Sequence, residues 1–425
     1  MEKRYDVLVL GGGLAGYYSS ITLARGGKSV ALIEKESLGG TALRWGALPV
    51  KKILDSFKKG DEKFLSTWDR DLEVLDNRIK NNLINEGIDI YFGEGEFIDS
   101  QSYNVGNTIL EGDYIIIATG TESASIREIP IDGNRIITHK EAIDLSVIPK
   151  TMIILGGNVE GVEFAALYAE LGVSVTIVEK EDSLLLGNDE DLVFPIENYL
   201  KNKGVNIIKG VGAEKAWTEK ERVKVILEDG RTIEGDKALV TLLRKPNIPR
   251  GVERLNIIVK EDKIVVDENL ATNESHVFAI GDINGIMGMG HIAIYQGIQV
   301  ADYILHNTPV DIKYEELPRA IFTLPEMAGV GKQEWELTLP YKVGYSYFKD
   351  TWRGWAKDIE EGFVKVIIDQ EEKILGIWMV GENVSEYVSL LSILIHNKVM
   401  VKDIKSNLII HPSLTEAILE AVLNA

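Results

Sequence analysis

One pattern that occurs twice limits what this chain can fold into. Residues 5–34, YDVLVLGGGLAGYYSSITLARGGKSVALIE, pass from an apolar strand through a glycine turn into a helix, then into a second apolar strand that ends in an acid. Residues 150–179, KTMIILGGNVEGVEFAALYAELGVSVTIVE, repeat that order. Continuous apolar strands on either side of a helix predict parallel sheet covered on both faces, so each stretch is read as a βαβ unit. With 425 residues, 45% of them hydrophobic, the chain can bury several cores. Two to four domains are expected.

The two units differ where a ligand would sit. In the first, Gly11 permits a tight turn, Gly13 lets the backbone approach a pyrophosphate, and Gly16 lets helix and strand pack closely. Glu34, about 20 residues on, suits a ribose hydroxyl, and the open helix N-terminus suits phosphate. The second unit reads Gly156, Asn158, Gly161 and ends at Glu179, so asparagine replaces the middle glycine. Its side chain occupies space a phosphate needs. Glu160 adds a carboxylate that, at about 5 Å from a phosphate, would cost on the order of 3 kcal/mol at an effective dielectric near 20. Alternatively Glu160 caps the helix itself. Gly156, Gly161 and Glu179 therefore either contact a nicotinamide dinucleotide or belong to a retained structural domain.

Two further strands end in glycine turns. EGDYIIIATG (111–120) closes with Thr119 and Gly120, and HVFAIGDINGIMGMGH (276–291) carries Asp282, which can accept from a sugar hydroxyl. Its last turn, Gly288, Met289, Gly290 and His291, can open a helix whose amides face an electronegative cofactor edge.

Composition excludes several classes of function. Lys+Arg 46 against Asp+Glu 66 gives a net charge of -20, which argues against nucleic acid or an anionic membrane as main partner. No apolar run reaches the roughly 18 residues of a membrane span, and the start, MEKRYDVLVLGGGLAG, does not read as a signal peptide. Zero cysteines exclude disulfides and thiol chemistry, and the 6 histidines lack ligand spacing, so no metal site is expected. The expected compartment is the cytoplasm.

Taken in order, these segments resemble the dihydrolipoamide dehydrogenase branch of the FAD-dependent disulfide oxidoreductases. The resemblance runs from Gly11, Gly13, Gly16 and Glu34 through LGGTALRWGALPVKK (38–52), with Gly40 and Thr41, to Gly95 in GEGEF, ATG at 118–120 and GD at 281–282. It continues through IFTLPEMAGVG (321–331), GFVKVIIDQEEKILGIWMVG (362–381) and IIHPSLTEA (409–417), which look like the family's dimerisation domain. It implies an α/β fold with two Rossmann-like FAD/NAD(P)-binding domains and a C-terminal α+β dimerisation domain. The expected limits are an FAD domain at 1–145, a degenerate nicotinamide-type domain at 146–258, a return to the flavin domain at 259–310 and an interface domain at 311–425, in a homodimer.

The same resemblance assigns roles. The family's redox cysteines fall at Ala42 and Ala47, and a methyl group cannot exchange with a disulfide. Lys51 matches the lysine near the flavin and Glu163 its ion-pair partner, a pair that either tunes the flavin or is an interdomain salt bridge. His411 and Glu416 match the base and its orienting acid, which act on the flavin of the partner subunit; without thiols, they are equally readable as an interface relic. On the nicotinamide side, Leu243 in LVTLLRKPN (239–247) replaces a contacting glycine, and Ile409 replaces a histidine often found two positions before the base. NAD(H) or NADP(H) binding is therefore doubtful. Trp45 either stacks on the exposed flavin face or packs in a core.

Three readings remain. One is an FAD enzyme that passes electrons directly between flavin and a non-disulfide partner, with donor and acceptor unknown: a quinone, oxygen, an electron carrier or an organic substrate. The second is a catalytically silent FAD-binding subunit of a larger complex. The third, a dihydrolipoamide dehydrogenase with its cysteines changed to alanine, does not account for Asn158, Glu160 and Leu243.

Overall fold

The computed structural model describes residues 2–61 and 64–425. The chain divides into two compact units: Met1–Ile126, Thr138–Ser146 and Leu242–Ile312 form one, and Arg127–Ile137, Val147–Thr241 and Lys313–Ala425 the other.

In the first unit, β1 (Glu2–Leu10), α1 (Leu14–Arg25) and β2 (Val30–Glu34) make the leading βαβ, with Val7 to Leu10 opposite Val30 to Ile33 in parallel register. After α2 (Ala47–Lys58) and α3 (Phe64–Asn85), β3 (Asp89–Phe92) joins the far side of β2 and β4 (Thr108–Ile117) joins β1. The parallel order β3-β2-β1-β4, extended by Val277–Ala279 along the second half of β4, is one half of a doubly wound sheet. All five residues of β2 are buried, as strands covered on both faces must be.

The second unit repeats the plan with β5 (Thr151–Leu155), α4 (Val159–Glu170), β6 (Ser174–Val178), α5 (Glu190–Asn202), β7 (Asn206–Ile208) and β8 (Lys237–Val240). Its parallel order is β7-β6-β5-β8, closed by Ile136–Ile137. Every residue of α4 from Gly161 to Ala169 is buried, which its nearly all-apolar sequence permits. The chain then re-enters the first unit, where α6 (Gly290–His306) packs on α1. Gly297 makes that possible, because a Cβ there would run into the Ala15 carbonyl.

The last part of the second unit is an antiparallel sheet of β9 (Arg319–Ile321), β10 (Glu326–Gly331), β11 (Tyr341–Tyr347), β12 (Phe363–Asp369) and β13 (Ile374–Gly381), in the order β9-β10-β13-β12-β11. On one face, Val364, Val366 and Ile368 pack with α7 (Ser385–His396) and α8 (Glu416–Asn424). Lys365 alternates to the other face. Helix α8 lies directly on the β11 backbone at Gly344, where a Cβ would meet the Ala421 carbonyl oxygen. Among the described residues no helix is long and apolar enough to cross a membrane.

Gly344→Ala is expected to push α8 off β11 and to cost about 1–3 kcal/mol of stability, read as a lower midpoint in urea denaturation.

Candidate active site

The first glycine turn is fixed by close approach. At Gly11, with φ +107°, a Cβ would run into the Ala118 carbonyl, and at Gly16 into the Gly11 carbonyl. Gly13 is the N-cap of α1 and supplies no side-chain cap, so the first-turn amides are not satisfied by a capping side chain. Gly13 and Gly40 face each other so closely that a Cβ on Gly40 would lie 2.9 Å from Gly13 Cα. Backbone therefore lines the space between them. Glu34 is almost wholly buried, with Oε2 accepting from Gly12 N at 2.7 Å and Oε1 from Glu36 N at 2.8 Å. Two amides orient the carboxylate and leave lone pairs for a hydroxyl donor. Beside this turn, Thr119 Oγ1 is buried without a hydrogen-bond partner. An uncapped helix end, a close approach of two glycine backbones, an oriented carboxylate and an orphaned hydroxyl together fit an anionic dinucleotide such as FAD.

Asp282 follows the last strand of this sheet, and its Oδ2 accepts from Thr121 Oγ1 at 3.2 Å. Fully buried Gln296 braces that turn, its Oε1 accepting from Gly281 N at 2.6 Å and Asn284 Nδ2 at 2.9 Å. Of the candidate turn that follows, Gly288 lies opposite the Asp282 carboxylate, Met289 is the N-cap of α6, and Gly290 and His291 begin the helix. Two residues passed over in the sequence hold the 118–120 turn. Asn247 donates from Nδ2 to Thr119 O at 3.1 Å and from N to Gly120 O at 2.9 Å, and Arg244 donates from Nε to Thr121 Oγ1 at 2.8 Å. The signal was the Pro-Asn after a short strand, a turn signature. Leu243 lies in that strand, half exposed, opposite Ala124. Gly95 has a local explanation: it is a buried strand residue whose Cβ would run into Asn104.

The segment that lacks cysteines is tied to its neighbours by side-chain contacts. Thr41–Trp45 forms one π-helical turn, Gly46 breaks it, and α2 starts at Ala47. Ion pairs from Arg44 to Asp76 at 3.5 Å and from Lys52 to Asp71 at 3.1 Å anchor it to α3. Trp45 is half-buried with Lys140 Nζ 4.7 Å above its ring, and Lys140 pairs with Glu36 at 2.6 Å. Its cation–π partner thus occupies one face of the indole. The Ala42 methyl borders Gly290, 3.7 Å from where a Cβ on that residue would sit, and Ala47 is exposed. Lys51 lies one turn into α2, its Nζ 3.4 Å from Ala47 O.

The second glycine turn matches the first except at the phosphate seat. Glu179 is gripped as Glu34 is, by Gly157 N at 2.5 Å and Glu181 N at 2.8 Å. Gly156 takes φ +111° and a Cβ on Gly161 would run into its carbonyl, so both glycines are required by packing alone. Asn158, however, caps α4 with its own side chain: Oδ1 accepts from Gly161 N at 3.0 Å and Nδ2 donates to Thr241 O at 2.6 Å. The cap is this asparagine rather than Glu160, which lies in the first turn. Farther along α4, Glu163 is buried, and its Oε1 accepts from Phe322 N at 2.9 Å.

His411 and Glu416 do meet. His411 Nδ1 lies 2.7 Å from Glu416 Oε1, while Ser413 N donates to Oε2 at 2.8 Å. The His411 side chain and then the Ser413 amide hold the Glu416 carboxyl below its ordinary value. Just before the dyad, Leu408 and Ile410 are 97% and 75% exposed, and with Ile409, Leu394, Ile404 and Ile418 they line a groove of about 280 Å³. Leu408 and Ile410 thus leave apolar side chains in solvent beside the dyad.

The pyridine nucleotide-disulphide oxidoreductase family matches residues 5–297, and its dimerisation domain matches residues 317–422. The chain belongs to this family. Members are FAD-dependent oxidoreductases. Within the family, the chain is 30% identical to a dihydrolipoyl dehydrogenase of Bacillus subtilis over 100% of this chain and 98% of that one. It is 30% identical to the dihydrolipoamide dehydrogenase of Chaetomium thermophilum over 99% and 91%. Among solved structures, the HOCl-induced flavoprotein disulfide reductase RclA from Escherichia coli superposes with a TM-score of 0.92 at 26% identity, covering 99% of each chain. LpdA from Mycobacterium tuberculosis superposes with a TM-score of 0.91 at 26% identity, again covering 99% of each. The family's two-nucleotide-domain fold with a C-terminal dimerisation domain is thus present throughout, and the cysteines are not.

Because the folded state lowers the Glu416 pKa, the dyad's contribution to stability is complete above the ordinary carboxylate range and is lost as pH falls through the lowered value. Carboxyl carbon NMR should find Glu416 titrating below 4.5, and His411→Ala should move it upward.

Proposed function

We propose that this chain is an FAD-dependent oxidoreductase that passes electrons directly between flavin and a non-disulfide partner. The observation that carries this reading is a complete first nucleotide site beside methyl groups at Ala42 and Ala47. Gly11, Gly13, Gly16, Glu34, Gly40, Thr41, Thr119, Gly120 and Asp282 would hold the FAD. Bound there, it supplies the electron transfer that no side chain of this chain can perform. Glu34 would hold the ribose end and the α1 amides the pyrophosphate, while the 41–52 segment offers alanine at the positions read as those of the redox cysteines. An acceptor, or an oxidisable substrate, would exchange electrons with the bound flavin without a thiol relay. A quinone, oxygen or an electron carrier is the class of acceptor that needs none.

The second nucleotide fold is read as no longer taking NAD(P)H, because the Asn158 side chain stands at the helix end and takes the Gly161 amide, a donor that a phosphate would need. The apolar strip around Leu408 and Ile410 is assigned to a homodimer contact, which would bring His411 and Glu416 to the partner's flavin; Lys51 is proposed as the residue that tunes the flavin. One observation favours a second reading, a silent FAD-binding subunit: the relay and the dinucleotide seat are lost together.

The purified protein should be yellow and fail to turn over lipoamide. Anaerobic NADH and NADPH should leave the flavin absorbance unbleached, whereas after photoreduction a quinone or oxygen should restore it within seconds. Failure of quinones, oxygen and carrier proteins alike to reoxidise the flavin supports the silent subunit instead. Asn158→Gly should cost on the order of 1 kcal/mol in thermal unfolding, mainly through the lost Thr241 bond, since glycine keeps most of a cap's value.

A further inference from the structure

Within the second unit, the face of the interface sheet opposite α7 and α8 carries a fully buried lysine. Lys365 Nζ lies 2.8 Å from Asp189, 2.9 Å from Asp191 and 2.7 Å from Glu334. Burial opposes its charge, but the hydrogen bonds to Asp189, Glu334 and Asp191 outweigh that cost and hold its pKa above that of ordinary lysine. The three carboxylates could also surround a metal ion, but the ammonium already stands among them. Their excess negative charge is met by other donors: Glu334 N and Trp335 N give to Asp189 at 3.0 and 3.2 Å, and Tyr345 OH gives to Asp191 at 2.9 Å.

The geometry joins two elements that have no chain connection. Asp189 is the N-cap of α5 and Asp191 lies in its first turn, just beyond the Glu179 clamp of the second nucleotide fold. Lys365 and Tyr345 belong to neighbouring strands β12 and β11. β11 uses its two faces differently: Tyr345 reaches Asp191, while Gly344 and Ser346 meet α8, with Ser346 Oγ donating to Glu420 at 2.8 Å. The Tyr345 carbonyl also accepts from Asn424 at the far end of α8. Glu416, the acid that holds His411, is the first residue of that helix.

We propose that Lys365 and Tyr345 are positioning residues: through them the second nucleotide fold, its own phosphate seat filled, braces α8 and so keeps the His411–Glu416 pair closed. This gives the repeat a task that needs no dinucleotide. The inference rests on the filled seat and on the dyad's geometry, and not on the identity of any electron donor or acceptor.

Lys365→Met and Tyr345→Phe in the FAD-bound full chain test it by hydrogen–deuterium exchange, with the Glu416 carboxyl followed by NMR. Tyr345→Phe removes only one hydroxyl and guards against a misfolded lysine variant. Exchange in the first turn of α5 and along α8 should quicken together, about tenfold or more in Lys365→Met, where the carboxylates lose their counter-charge. Glu416 should titrate higher, and FAD content and exchange in β1 should not change. Faster α5 with α8 and Glu416 unaltered, no change anywhere, or loosening that reaches β1 equally would each overturn the proposal. None of these results alters the flavin titrations, so the two readings fail separately.

Discussion

What occupies the N-terminus of each nucleotide helix governs the rest of this molecule. A helix end leaves backbone N–H groups that require a partner, and the two repeats answer that requirement differently. In α1 no side chain caps the end and Gly13 keeps the approach open; in α4 the Asn158 side chain takes the amide of Gly161. The carboxylate clamps at Glu34 and Glu179 are otherwise the same, each held by two amides. One change of side chain thus separates a seat open to an anion from a seat that is satisfied from within.

The redox segment follows the same logic of kept frame and altered chemistry. Arg44 and Lys52 tie residues 41–52 to Asp76 and Asp71, and Lys140 lies over Trp45, so Ala42 and Ala47 flank an ordered turn. Alanine carries no sulfur, so neither Ala42 nor Ala47 can take part in thiol–disulfide exchange. This matches the first nucleotide site, where the features suited to an anionic cofactor all remain.

Much of this was legible in the sequence because it depends on local geometry. The two βαβ units and their glycine turns follow from spacing, and the parallel sheets follow from uninterrupted apolar strands, whereas the meaning of Ala42 and Ala47 came only from the family resemblance. The cap on α4 was legible only in part: asparagine is a common N-cap, but Glu160 competed for that role in the sequence, and the bond to Thr241 spans 83 residues. Asn247 was missed although its Pro-Asn turn was visible, because the Thr119 carbonyl it holds lies 128 residues away. The Lys365 cluster was invisible. A lysine in an apolar strand alternates outward in any reading, and only tertiary structure reveals three acids waiting on that side.

The asparagine cap also bears on how the second turn depends on concentration. A dinucleotide stabilises its site only in proportion to how much of it is bound, whereas a built-in side chain acts in every molecule at every concentration. The turn before α4 is therefore braced by the Gly161 and Thr241 bonds whatever the level of coenzyme.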